Sequence, residues 1–302
     1  MPESSSPRLA PEAVRPPGRS TGSQPWPRAA RWHGPVFAVF LVWLTAAALL
    51  LITRVQLPAG WNWVEGVVYV LAAASALCSL ARRLPVQNVI ACGLVVGSLA
   101  AVLVSMGAKT GLGFGEVSYS DALGPKVLGL MAWPVPWLWI AWVLSSRGVA
   151  RLVLRPWRRQ RYYGYGLLGV TALLVVLQDL MLEPFAVAGR GYWSWHSPGL
   201  WGDWYGVPWT AFVGALLMAA LIGAFASPWF IMKRPVSQLL DYHPLIMWLG
   251  LALLFTVGSL AAQLWWAAGV GLVVSGAVGV LAWYFGRRFT RPTPPPVGAL
   301  SE

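Results

Sequence analysis

Long uninterrupted runs of apolar residues, rather than the alternation of polar and apolar positions seen in a soluble helix, dominate this chain. Eight runs approach or exceed the roughly 20 residues that carry a helix across a bilayer. They cover 35–53, 61–81, 86–106, 127–146, 164–183, 208–230, 244–262 and 266–285, with only the Ala261 to Trp266 stretch dividing the last two. The pattern predicts an all-α polytopic membrane protein of about eight transmembrane helices. The helical domain occupies 34–286, flanked by tails over 1–33 and 287–302 that are rich in Pro, Ser, Arg and Gly and expected to be disordered. The first run is longer than a secretory signal core and has no small-residue cleavage site behind it, so it reads as a retained span.

Composition agrees with that reading. The chain of 302 residues is 57% hydrophobic and 11% charged, with a mean hydropathy of +0.61, whereas a soluble surface needs about a quarter charged residues. A multi-pass protein of the cell membrane is expected. Lys and Arg are retained on the cytoplasmic side of membrane proteins, which orients the helices. With the N-terminus inside, the cytoplasmic tails and loops hold every Lys and Arg except Arg54, Lys109, Lys126 and Arg190. Both termini are therefore expected to be cytoplasmic. Glu65, Glu116, Asp121, Asp179, Glu183 and Asp203 all fall at or near the opposite face.

The same asymmetry explains the isoelectric point near 10.4 without nucleic acid, because basic loops beside spans serve orientation and contact anionic lipid headgroups. The run from Arg147 to Arg161 suits a short helix lying on the inner headgroups. Membrane lipids are the expected partners there.

Several classes of chemistry lack their residues. Iron-dependent lipid oxygenases need close-set imidazoles, and this chain has only His33, His196 and His243, far apart in sequence. Cys78 and Cys92 fall inside predicted spans, as small apolar residues do. The glycine-rich stretch from Gly111 to Glu116 breaks the dinucleotide-binding pattern and follows no strand. Asp179 with Glu183 is a thin version of the Asp cluster that holds a magnesium diphosphate. No metal site and no cofactor are expected.

Asp179 and Glu183 sit one helical turn apart at the end of the fifth apolar run, where carboxylates are costly and mark proton chemistry on an apolar substrate. Glu65, near the outer end of the second span, and Asp121, in the loop after the third, are further candidate carboxylates. Trp61, Trp63, Trp133 and Trp265 read as interfacial belt residues. Trp193, Trp195, Trp201 and Trp204 lie in a loop rich in Gly and Pro and can equally line a pocket. On this topology the 110–125 and 183–208 loops share the outer face and together cap a common cavity.

These residues also carry a resemblance. Gly115, Tyr119, Ser120, Asp121, Leu123, Gly124 and Pro125 form G-x-x-x-Y-S-D-A-L-G-P; Asp179, Glu183 and Pro184 form D-x-x-x-E-P; then come W-S-W at Trp193 to Trp195 and Y-G-V-P at Tyr205 to Pro208. In order and spacing this resembles the carotenoid biosynthesis family of membrane hydratases, the CruF type, over roughly residues 104–215. The resemblance implies cofactor-free addition of water across the 1′,2′ double bond of an acyclic carotenoid end, as in lycopene or gamma-carotene, giving a tertiary alcohol. Its motifs hold Asp179, Glu183 and Asp121, which join Glu65 of the second span as catalytic candidates, and Tyr119, Trp193, Trp195, Tyr205 and Pro208, which join Trp204 of the tryptophan-rich loop as candidates for substrate binding, with other carotenoid pathway enzymes as further partners. The chain departs from the family pattern at Val104, Ala211 and Ala215, where an acid, an Asn and a Trp are expected.

The chemistry suits the residues. Hydrating a trisubstituted alkene starts with protonation at the less substituted carbon, which needs an acid still protonated near neutral pH; burial favours that form because it penalises the charged one. Asp179, the deeper carboxyl, is the candidate acid, and Glu183 or Asp121 the group that orients water. Two other readings stay open: a lycopene-cyclase-like enzyme that quenches the same cation by ring closure, and a non-enzymatic carotenoid-binding or transport protein. No internal repeat favours a transporter.

Overall fold

The computed structural model describes residues 31–55, 57–58, 60–111, 115–196, 201–230 and 240–288. The two expected tails lie outside these, apart from residues 31–33 and 287–288, which are helical. Eight long helices make up the body: α1 (His33–Thr53), α2 (Val64–Ala81), α3 (Val86–Thr110), α4 (Val135–Val153), α5 (Tyr163–Pro184), α6 (Trp209–Ala226), α7 (His243–Ala261) and α8 (Trp265–Arg288). Seven of them are long and apolar enough to cross a membrane, and α4 is the exception. The chain is an all-α, multi-pass membrane protein.

Two boundaries show how local chemistry shapes the bundle. The fourth helix begins at Val135, not at 127, because Lys126–Val127 (β2) and Met131–Ala132 (β3) pair as a hairpin. Gly129 and Leu128 turn that hairpin with positive φ, and Pro134 and Pro136 then set the start of α4. At the end of α5, Pro184 is followed by a π-helical turn, Phe185–Gly189, in which Arg190 N–H donates to Phe185 O at 2.8 Å. Proline disturbs the regular hydrogen-bond ladder at this point, and a widened turn re-satisfies the backbone.

The central α4 is the axle of the structure. It packs against α2, α3, α5, α7 and α8 and buries Trp139 and Trp142. Gly148 lets α4 approach α7 closely, since a Cβ there would lie 2.2 Å from Pro244 Cβ. By contrast α1 buries only His33 and Phe40, and Val42, Leu49 and Ile52 stand exposed, as side chains facing lipid do.

Successive helices reverse direction, so the two ends differ in charge. One end collects Glu65, Glu116, Asp121, Asp179, Glu183 and Asp203; the other collects the arginines from Arg82 to Arg161 that flank α2, α4 and α5. Among the described residues, Asp241 is the sole acid at the basic end. Its carboxylate meets Arg83 at 3.1 Å, Arg82 at 3.6 Å and His243 Nδ1 at 2.7 Å. Burial works against its charge, but His243, Arg83 and Arg82 together hold the carboxyl below its ordinary range. A carboxyl depressed on folding stabilises the protein above its unfolded pKa of about 3.9, and that contribution is lost as pH falls through the lower folded value. Asp241→Asn is therefore expected to cost about 2 kcal/mol at pH 7, with the loss shrinking toward pH 3, as thermal unfolding in detergent measures.

Candidate functional site

The carboxylate end is closed by chain that contains almost no long helix. Val117–Tyr119 (β1), after α3, pairs antiparallel with Trp193–Trp195 (β4), after α5. The register sets Val117 opposite Trp195 and Tyr119 opposite Trp193. Ser120 ties the ladder at its edge, donating from Oγ to Gly191 O at 2.6 Å. A third pair, Asp203–Trp204 (β5) with Val207–Pro208 (β6), leads into α6. Tyr205 and Gly206 turn it with positive φ. The two loops expected to share a face are thus joined by backbone hydrogen bonds.

Beneath this cap lies a cavity with about 610 Å³ of empty space, partly open to the outside. Asp179 and Glu183 of α5 line it, with Tyr119, Trp193 and Trp195 above and Trp139, Trp142 and Met218 on the facing helices. Both carboxyl residues are buried, Asp179 8% and Glu183 5% exposed. Trp193 Nε1 and Trp195 Nε1 both donate to Glu183 Oε2, at 2.9 and 3.0 Å. Residues two apart on a strand point to one side, so a single oxygen can receive both indoles. Asp179 makes no hydrogen bond among the described residues and presents its carboxyl to the cavity. The Tyr119 ring packs 5.5 Å from that of Trp193, and burial, with Glu183 and Asp179 nearby, pushes its phenol above the ordinary range, which keeps it neutral.

The other expected residues lie elsewhere. Asp121 is exposed and paired with Lys126 at 3.1 Å, outside the cavity. Glu65 pairs with Arg190 at 2.9 Å and accepts a hydrogen bond from Tyr192 Oη. Burial, with Tyr69 and Glu65 beside it, holds the Tyr192 phenol well above its usual range, so it remains a donor. This group lines a second cavity between α1, α2 and α7. Tyr192 and Trp193 are neighbours on an extended chain and therefore face opposite sides, which separates Glu65 from Glu183. Trp204 supports the site from behind, donating from Nε1 to Leu180 O at 3.3 Å, while Tyr205 and Pro208 shape the turn into α6. None of these three lines the cavity.

Trp139, Trp142, Leu138 and Met218 line the cavity although nothing in their local pattern marks them, because an apolar residue facing a cavity reads like one facing a neighbouring helix. Val104, Ala211 and Ala215 line it too. The three departures from the family pattern therefore fall on one surface, with small side chains where larger or polar ones were expected.

The arrangement defines a class: a membrane helix bundle enclosing an apolar, indole-lined cavity with two carboxyl groups one turn apart. Residues 62–278 match the family described as carotenoid biosynthesis protein, and the chain belongs to that family. It is 34% identical over 116 residues to the bisanhydrobacterioruberin hydratase of Haloarcula japonica, a match covering 38% of this chain and 37% of that one. The chain thus spans well under half the length of that relative. No solved structure matches the chain.

Loss of one indole donor leaves Glu183 with a single hydrogen bond in a buried setting. Trp193→Phe is expected to lower stability by about 1–2 kcal/mol, and Trp193→Phe/Trp195→Phe by more than the sum of the single changes, since the last donor to a buried carboxyl is the costliest to remove. Thermal unfolding of the three variants checks this.

Proposed function

We propose that the protein is a carotenoid hydratase. The reading rests on one observation, the Asp179–Glu183 carboxyl pair set in the wall of an otherwise apolar cavity between membrane helices. A greasy cavity suits a polyene, and acids inside it suit chemistry that begins with a proton. The relative's name describes water addition to a carotenoid, which agrees in reaction class.

In this reading an acyclic end of a carotenoid such as gamma-carotene or lycopene enters with its 1′,2′ double bond beside Asp179. The Asp179 carboxyl transfers its proton to the less substituted alkene carbon, and the π electrons form the new C–H bond. The resulting tertiary cation lies among the faces of Trp193 and Trp195, with Trp139 and Trp142 opposite, where aromatic quadrupoles stabilise positive charge. Water adds to the cation and loses a proton to Glu183, which the two indoles hold in place. Passage of that proton back to Asp179, one turn away on α5, restores the starting state. The net change is addition of one water to give a tertiary alcohol, with no cofactor required.

Distance bears unequally on the candidate carboxyls. Asp121 and Glu65 sit outside the cavity, so Glu183 rather than either of them is our choice for the group that takes the proton from water. The basic end of the bundle is read as cytoplasmic and the cavity end as the outer face of the cell membrane.

Expression in a host that accumulates lycopene or gamma-carotene is expected to yield pigment heavier by one water, with oxygen derived from labelled water. A product of unchanged mass and altered absorbance would mean ring closure instead, and unaltered pigment with inserted, folded protein would mean binding without chemistry. Asp179→Asn is expected to lower turnover at least about 100-fold. Trp195→Leu is expected to lower it more than Trp63→Leu, and equal effects would return both residues to the membrane belt.

A further inference from the structure

At the opposite end of the bundle lies a third cavity, with about 520 Å³ of empty space, lined by Arg83 of the α2–α3 turn, Arg147 and Arg151 of α4, and Asp241. Three guanidiniums thus face one carboxylate. That carboxylate is already engaged by Arg82, Arg83 and His243. Arg147 and Arg151 make no ion pair or hydrogen bond among the described residues. They are one turn apart on the same face of α4, the spacing at which like charges repel. Arg147 lies with its Cζ 4.1 Å from the centre of the Phe230 ring, which covers one face of the guanidinium and leaves its in-plane N–H donors unmatched.

The sequence next to Phe230 brings no counter-charge. Residues 231–239 read I-M-K-R-P-V-S-Q-L and add two cations and no acid. Half-buried guanidiniums gathered around one carboxylate that other partners already engage are costly, and a guanidinium fork matches the oxygens of a phosphate. The rest of the lining is mainly apolar, with Ala76, Leu80, Leu144 and Met247 beside Ser79 and Ser145, and suits the first carbons of a phosphate ester.

We propose that this cavity binds a phosphate-bearing anion, with Arg147 and Arg151 as its principal donors and Arg83 at its edge. Two sources share that chemistry: the headgroup of an anionic phospholipid, which the apolar lining favours, and free phosphate.

Thermal unfolding of the full chain, delipidated in neutral detergent, distinguishes them. Phosphatidylglycerol well above its dissociation constant is expected to raise Tm by about 5 °C, phosphatidylcholine by much less. Inorganic phosphate giving the whole shift would assign the site to the free anion. Arg147→Gln/Arg151→Gln should abolish the gain, while Arg158→Gln/Arg159→Gln, which removes equal charge from exposed positions near the same end, should keep it. An equal gain in the pocket variant, an equal loss in the surface variant, an equal shift with phosphatidylcholine, or no shift with any of these ligands would overturn the proposal. Should the double variant fail to fold, Arg151→Gln alone is compared with the unaltered protein by native mass spectrometry of retained phosphatidylglycerol. Greater retention by the unaltered protein supports the proposal, and equal retention overturns it.

Discussion

Two indole N–H groups converging on one carboxylate oxygen hold the cavity end of this protein together. Glu183 is the last acid before Pro184 ends the regular turn of α5, and β4 returns over it so that Trp193 and Trp195 both reach Oε2. Each partner needs the other. An indole N–H buried in an apolar wall without an acceptor, or a buried carboxyl without donors, costs more than the hydrogen bond returns. Because β4 is placed by this contact, so is β1, and with it Tyr119 and the roof of the cavity.

The same strand also separates two polar systems that sequence distance alone would merge. Trp193 and Trp195 turn toward Glu183, while Tyr192 turns toward Glu65 and Arg190. Phe185, in the widened turn after Pro184, fills the space behind Tyr192, their ring centres 5.8 Å apart. The ion pair with Arg190 thus belongs to Glu65, and among the described residues no cation lines the cavity with Asp179 and Glu183. In the proposed reaction, that difference is the reason for assigning the proton steps to Asp179 and Glu183 rather than to Glu65.

Charge is divided unevenly between the two ends of the bundle. Carboxylates gather where the indole-lined cavity lies, and guanidiniums gather at the other end, around Asp241 and the α4 arginines. The central helix α4 joins the two: its Trp139 and Trp142 line the carboxylate cavity, and its Arg147 and Arg151 line the basic one. A helix with this double duty cannot be uniformly apolar, which is why it alone among the eight falls short of a membrane-crossing composition.

Helix count, the charge difference between the ends and the Asp179–Glu183 turn are legible in the sequence, because each is a property of neighbouring residues: hydropathy over some 20 positions, basic loops, and a four-residue spacing. Trp193 and Trp195 are legible as candidates through their motif, but not as donors to Glu183. The rest requires distance to be folded away. Whether Asp121 and Glu65 stand beside Asp179 depends on the facing of strands and on competing ion pairs with Lys126 and Arg190, neither of which hydropathy reports. Hydropathy starts α4 some eight residues early, because a hairpin of apolar residues and the beginning of a helix look alike until a partner strand pairs with one of them. Sequence alone determined that the chain lives in a membrane and carries acids at the end of an apolar span; tertiary structure decided which acids share a cavity, since burial and hydrogen-bond geometry arise only where separate segments meet.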